Sequence, residues 1–144
     1  LYELTSGRGI PIARRHIRRE AGVAPLVRLL SAGDELIYTT AADGPVLVSL
    51  HVERSEDVTI PLSYPARELV EIEEPALRAV LSFHTRRDPS RGFGHPSELL
   101  LSDEHGVVPV RATFASEASM LYAYRSLIAL RIDDRILAFS LEVQ

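Results

Sequence analysis

The sequence predicts an α+β fold, in which an antiparallel sheet of about six strands packs against three or four short helices in one domain. Three observations lead to this prediction. Several segments alternate apolar and polar residues at period two, turn-forming residues separate them, and other segments begin at a proline and repeat apolar residues at helical spacing. The length of 144 residues fits a single compact domain over residues 1–144, although the leucine at position 1 is also compatible with a fragment of a longer chain.

The first part of the chain predicts one helix and three strands. Residues 11–21 begin with proline, are rich in alanine and arginine, and are followed by a glycine, which together favour a helix. Residues 35–40 and 46–52 alternate on either side of a glycine-containing turn, and this pattern predicts a hairpin. Residues 58–62 predict a further strand, and Pro61 favours a sheet edge because proline has no backbone donor.

The middle of the chain predicts two short helices and a long loop. Residues 65–72 and 76–83 each follow a proline start and place apolar residues at helical spacing, with Pro75 as the break between them. Residues 84–98 are rich in glycine, proline and charged residues, which predicts a long surface loop.

The last part of the chain predicts two hairpins separated by a helical segment. Strands over residues 99–102 and 107–114 flank a polar turn. Residues 116–125 predict a helical turn or two, on which Leu121 and Tyr122 share a face. Residues 127–143 predict two alternating strands across a two-aspartate turn, because aspartate tolerates positive φ.

The composition excludes several classes of site. The chain has no cysteine, so it has no disulfide, thiolate metal ligand or cysteine nucleophile. All 16 basic residues are arginine, which excludes a P-loop lysine and a Schiff-base lysine. Lysine and asparagine have codons rich in A and T, so their joint absence is typical of a GC-rich bacterial genome. No apolar run is long enough for a membrane-spanning helix, and we expect no cofactor, no membrane partner and a cytoplasmic location.

The most polarised stretch is GRGIPIARRHIRREAG, residues 7–22. It holds five arginines and one glutamate, a local charge of +4, so the rest of the chain carries −8 to give the net charge of −4. Such a cationic surface suits phosphate or another anion. The candidate binding residues are Arg8, Arg14, Arg15, Arg18 and Arg19. A solvated face, whose arginines pair with acidic residues of the same chain or of another copy, explains the same pattern.

A second basic cluster lies in the predicted loop. Arg86, Arg87 and Arg91 are followed by glycine-rich sequence, where guanidinium and backbone N–H groups can surround an anion. His84 and His95 are the candidates for a pocket or an enzymatic site in the same loop. A mobile loop without a ligand has the same composition. The histidines of the chain are scattered, so we predict no metal site.

These features favour a non-enzymatic interaction or regulatory domain that acts through self-association, as a homo-oligomer, or through a protein partner. The absence of a catalytic signature, the prolines at predicted sheet edges and the complementary charge within one chain support this interpretation. The alternative is a nucleic-acid or anion-binding protein that uses the two basic clusters. A third, less favoured interpretation is a small enzyme with its site near the loop from His84 to His95. Nucleic-acid binding weakens steeply with salt, whereas association through an apolar interface does not.

Overall fold

The structure, a computed structural model, describes residues 2–5, 8–11, 26–29, 35–40, 44–51, 56–83 and 96–142. Within these residues the chain forms strands β1 to β13 and no helix. The strands are β1 (Tyr2–Thr5), β2 (Arg8–Pro11), β3 (Val27–Leu29), β4 (Glu35–Thr40), β5 (Val46–His51), β6 (Val58–Pro61), β7 (Ala66–Ile72), β8 (Leu77–Phe83), β9 (Ser97–Ser102), β10 (Val110–Phe114), β11 (Ala118–Tyr124), β12 (Leu127–Ile132) and β13 (Arg135–Ser140). The predicted α+β class is therefore wrong for the described part of the chain, which is all β.

The strands form antiparallel sheets in which neighbours in the sequence are also neighbours in space. Sheet I has the order β3-β4-β5-β6, sheet II has the order β10-β9-β8-β7, and sheet III has the order β11-β12-β13. Strands β1 and β2 form a separate two-stranded hairpin. The prediction of one sheet with about six strands is thus replaced by several smaller sheets joined by short connections.

Sheet II is the middle layer, and it is covered on both faces. Val80 and Leu100 belong to an apolar core shared with sheet I, whereas Leu81, Leu99 and Leu101 belong to a second core shared with sheet III. All five side chains are fully buried. Successive residues of a strand point to opposite faces, so a strand buried at every position has a neighbouring layer on each side. The described residues therefore stack as three β layers around two apolar cores.

Three segments predicted as helices are strands. Residues 65–72 and 76–83 supply β7 and β8, and residues 116–125 supply β11. In a sheet covered on both faces, apolar residues occupy consecutive positions, and such a run does not distinguish a buried strand from a helix. The prolines that suggested helix starts lie at strand boundaries instead, since Pro65 precedes β7 and Pro75 lies in the turn between β7 and β8. The helix predicted over residues 11–21 lies outside the described residues, except for Pro11, which ends β2.

The strands predicted from alternation are confirmed. β4 (Glu35–Thr40), β5 (Val46–His51) and β6 (Val58–Pro61) lie within the predicted segments 35–40, 46–52 and 58–62, and β6 lies at a sheet edge as Pro61 predicted. The last two strands also pair across the predicted aspartate turn, where Asp133 adopts a φ of 54°. No helix in the described part of the chain is long and apolar enough to cross a membrane.

Candidate interaction surface

Most side chains predicted from the sequence to bind a ligand lie outside the described residues. Arg8 begins β2 and is paired with Thr5 of β1. The others are Arg14, Arg15, Arg18, Arg19, His84, Arg86, Arg87, Arg91 and His95, all outside the described ranges. The nucleic-acid, anion-binding and enzymatic interpretations that use these residues stay predictions from the sequence.

Two tight hairpins determine which side chains of sheet III face outward. The turn between β11 and β12 begins at Arg125 with a φ of 52°, and the turn between β12 and β13 begins at Asp133 with a φ of 54°. Positive φ at the first residue is typical of the two-residue turns that match the twist of paired strands. The register from β12 to β13 is regular along both strands. Side chains therefore alternate strictly between the inner and outer faces of these strands.

The outer face of sheet III exposes large apolar side chains. Ile128 and Leu130 point inward and are buried in the core with sheet II. On the outer face, the exposed fractions are 59% for Tyr122, 71% for Tyr124 and 79% for Ile136. Leu127 of β12, which lies between β11 and β13, is also exposed. Leu137 is exposed as well, but on the inner side of β13. Among the described residues, the only other large apolar side chains that are this exposed are Val27 and Val107.

Charged groups of both signs border this apolar face. A groove of about 510 Å³ is lined by the apolar side chains of Tyr122 and Ile136 and by Arg131 and Asp134. Arg131 is held at the β12–β13 turn, because its Nε donates a 2.8 Å hydrogen bond to the carbonyl oxygen of Asp133. An apolar centre with a polar rim is the arrangement found in protein–protein interfaces.

A buried ion pair joins sheet I to sheet II at one end of their shared core. Arg78 of β8 donates through Nη2 to Oε2 of Glu35 in β4, and the Ser49 hydroxyl of β5 donates to the other carboxylate oxygen. The side chains of Arg78 and Glu35 are only 7% and 3% exposed. Because its carboxylate accepts hydrogen bonds from Arg78 and Ser49, Glu35 links sheet I to sheet II.

A second carboxylate is fixed in the same core by a different set of donors. Glu98 of β9 is fully buried and accepts hydrogen bonds from the backbone N–H and the hydroxyl of Ser63, which follows β6. Arg111 of β10 lies 3.1 Å from the same carboxylate and also donates to the carbonyl oxygen of Pro61. This cluster links the edge of sheet I to sheet II.

The two carboxylate clusters do not form an open acid–base site. Neither Glu35 nor Glu98 lines the groove of sheet III, and neither lines a smaller cleft of about 250 Å³ beside β7 and β11. His105 lies in the exposed turn between β9 and β10, 3.4 Å from Glu104. The part of the chain that the structure describes contains no group of three or more histidine, aspartate and glutamate side chains that could hold a metal ion. Within the described residues, both carboxylates are engaged in contacts that link sheet I to sheet II.

The exposed apolar face of sheet III is not predicted from the sequence, because residues 116–125 are predicted as a helix. On a helix, Leu121 and Tyr122 share a face, whereas in β11 Leu121 is buried and Tyr122 is exposed. A signal was present in the sequence, since Tyr122 and Tyr124 are two residues apart and lie on one face of a strand. Comparison with family models, with curated proteins and with solved structures gives no match to this chain.

Proposed function

We propose that this chain is a non-enzymatic interaction domain that associates with a second copy of itself through sheet III. The observation that carries the proposal is the concentration of exposed large apolar side chains on this one sheet. A large aromatic side chain buries roughly 150–250 Å² in a contact, so the exposed parts of these residues amount to on the order of 500 Å². Patches of that size lie at the upper end of those found on monomers and commonly mark interaction sites.

The size of the patch also sets the expected affinity. Covering it on two copies removes roughly 1,000 Å² from water, which is near the lower bound for specific interfaces. We therefore expect a reversible dimer with a dissociation constant in the range of about 1 to 100 µM. The non-enzymatic part of the proposal is supported by the engagement of Glu35 and Glu98 in structural contacts. The proposal retains the cytoplasmic location expected from the sequence, which fractionation of the host cell tests.

Sedimentation velocity over a concentration series tests the proposal. The native chain should shift from monomer to dimer with increasing concentration. Ile136→Lys places a charge on the proposed surface at a side chain that is already 79% exposed, so it should abolish the shift without unfolding the protein. Thr59→Lys is the matched control, because Thr59 is an exposed residue of β6, an edge strand of another sheet. A native chain that stays monomeric throughout, or an equal effect of the two lysines, would overturn the proposal.

A further inference from the structure

The edge strands of sheets I to III differ in how their open backbone is protected. β6 contains Pro61, β10 directly follows Pro109, β7 and β11 each contain a bulge, and β3 has only three residues. These are the features by which sheet edges avoid pairing with other chains. β13 has six residues, a regular register, no proline and no bulge, and its one charged residue, Arg135, is at its first position. β13 is thus the unprotected edge among the described strands of sheets I to III.

The hairpin determines which backbone groups of β13 point to its open edge. The residues that flank a two-residue turn exchange both of their hydrogen bonds, and this pattern recurs at every second residue. Arg135 and the alternate positions after it therefore bond to β12. The hydrogen bond from Leu141 N–H to the carbonyl oxygen of Ser126 fits this pattern, because residue 141 is one of the alternate positions that follow Arg135. Consequently, the backbone N–H and C=O groups of Ile136, Ala138 and Ser140 point away from β12, and no described strand pairs with them.

We propose that β13 pairs antiparallel with β13 of a second copy about a two-fold axis at Ala138, which joins the two copies of sheet III into one continuous sheet. This inference rests on the proposed self-association but not on burial of the whole apolar face, because an edge-to-edge pair covers Ile136 and Leu137 and leaves Tyr122 and Tyr124 exposed on the outer face of the joined sheet. A two-fold axis closes the assembly at two copies, because it uses the same open edge of each chain.

The backbone favours this register over its neighbours. In a two-fold antiparallel pair, opposite residues lie on the same face of the sheet, so the axis passes through a residue position. With the axis at Ala138, Ile136 lies opposite Ser140 of the second copy, and Ala138 lies opposite its own equivalent. All outward N–H and C=O groups of these residues are then paired. A shift of the axis by one residue to either side leaves some of these groups without a partner.

The side chains of β13 are compatible with the same register. On the inner face, Leu137 lies opposite Phe139 of the second copy, which extends the core on the side where Leu137 is 41% exposed. On the outer face, the Ile136 side chain lies beside Ser140 in β13 of the second copy. Asp134 of one copy comes opposite Glu142 of the other only beyond the strand ends. Because these residues carry like charges and no opposite charges are paired across the axis, added salt should not weaken the dimer. An association driven by the basic segment at residues 7–22 would instead weaken with salt.

Distances between spin labels distinguish this edge-to-edge dimer from a face-to-face one. The register aligns Tyr122, Ala129 and Ala138 in one row across the sheet. The proposed axis lies on this row, so the two Tyr122 Cα atoms should be separated by five strand spacings, about 24 Å. In a face-to-face dimer Tyr122 lies in the interface, so labelling at this position should prevent that dimer from forming. Because the chain has no cysteine, Tyr122→Cys provides a single labelling position.

A backbone substitution provides the second test. Ala138→Pro removes a donor that points to the open edge and leaves the bonds to β12 in place, so the monomer should keep its circular dichroism spectrum. The dimer dissociation constant should rise roughly tenfold or more. Tyr122→Ser is the control, since an edge-to-edge dimer should tolerate it and a face-to-face dimer should not.

The outcomes separate the inference from the proposed function. A label distance near 24 Å, together with loss of the dimer in Ala138→Pro but not in Tyr122→Ser, supports the edge-to-edge geometry. A dimer that is lost in Tyr122→Ser or in labelled Tyr122→Cys, or one that survives Ala138→Pro, overturns that geometry while self-association of the native chain stands. Open-ended polymers would contradict the two-fold closure. A native chain that is monomeric at all concentrations overturns both the proposed self-association and its edge-to-edge geometry. If Ala138→Pro does not fold, the label distance alone tests the geometry.

Discussion

The buried ion pair between Arg78 and Glu35 makes a quantitative prediction about stability. In Arg78→Met, the Glu35 carboxylate loses its cationic partner and keeps only the Ser49 hydroxyl, in a site where its side chain is 3% exposed. An uncompensated buried charge of this kind costs about 3–5 kcal/mol in the free energy of unfolding. Since a domain of this size is typically stable by about 5–15 kcal/mol, the variant should lose a large fraction of its stability. Its melting temperature should fall by roughly 6–20 °C.

The structure supplies a matched control for this prediction. Arg111 pairs with Glu98, but the Arg111 side chain is 39% exposed, and Glu98 retains the N–H and the hydroxyl of Ser63 as donors. Arg111→Met should therefore cost only about 1–2 kcal/mol. Guanidinium unfolding followed by circular dichroism measures both variants under the same conditions.

A double variant tests whether the cost comes from the stranded charge. In Glu35→Gln combined with Arg78→Met, the remaining amide is neutral and still accepts from Ser49. The buried Nε of Arg78, which has no hydrogen-bond partner among the described residues, is absent from both the single and the double variant. The double variant should recover about 2 kcal/mol or more relative to Arg78→Met. The reasoning is refuted if Arg78→Met costs no more than Arg111→Met, or if the double variant is as unstable as the single one.

Two further predictions concern the core and the turns, and denaturant unfolding measures both. Leu100→Ala empties a fully buried position between sheets I and II and should cost about 2–5 kcal/mol, whereas Val107→Ala, at a side chain that is 59% exposed, should change stability by less than about 0.5 kcal/mol. Gly106→Ala should cost about 2 kcal/mol or more, because a Cβ at its φ of 83° would lie 2.6 Å from Cγ1 of Val58. Gly44→Ala should cost only the backbone strain at its φ of 103°, about 1 kcal/mol, because no described residue other than its chain neighbours lies within 4 Å of an added Cβ. If Leu100→Ala and Val107→Ala, or Gly106→Ala and Gly44→Ala, lost equal free energies of unfolding, the packing described at these positions would be contradicted.

Helix-favouring residues combined with burial on both faces concealed strands from the sequence, whereas burial alone did not, since β5 and β9 are predicted as strands although they are buried at four and six consecutive positions. β6 and β12 alternate between buried and less buried positions, and their period-two pattern identified them. β8 is buried at five consecutive positions between its partly buried ends, so alternation is absent. With alanine, arginine and leucine in that run, helix propensity and proline placement favoured the wrong element. The same error at β11 concealed the exposed tyrosines of sheet III.

By itself, the sequence determined the features that depend on local chemistry. The two aspartates after β12 specify a tight turn, Pro61 specifies an edge, and the absence of cysteine and lysine excludes whole classes of site. Only the tertiary structure decided that sheet II has a layer on each face, that Glu35 meets Arg78 from 43 residues away, and that no described strand pairs with the outer edge of β13. The reason is physical: a continuous apolar run stabilises a buried strand and a buried helix alike, and pairing between distant residues is set by how the layers pack.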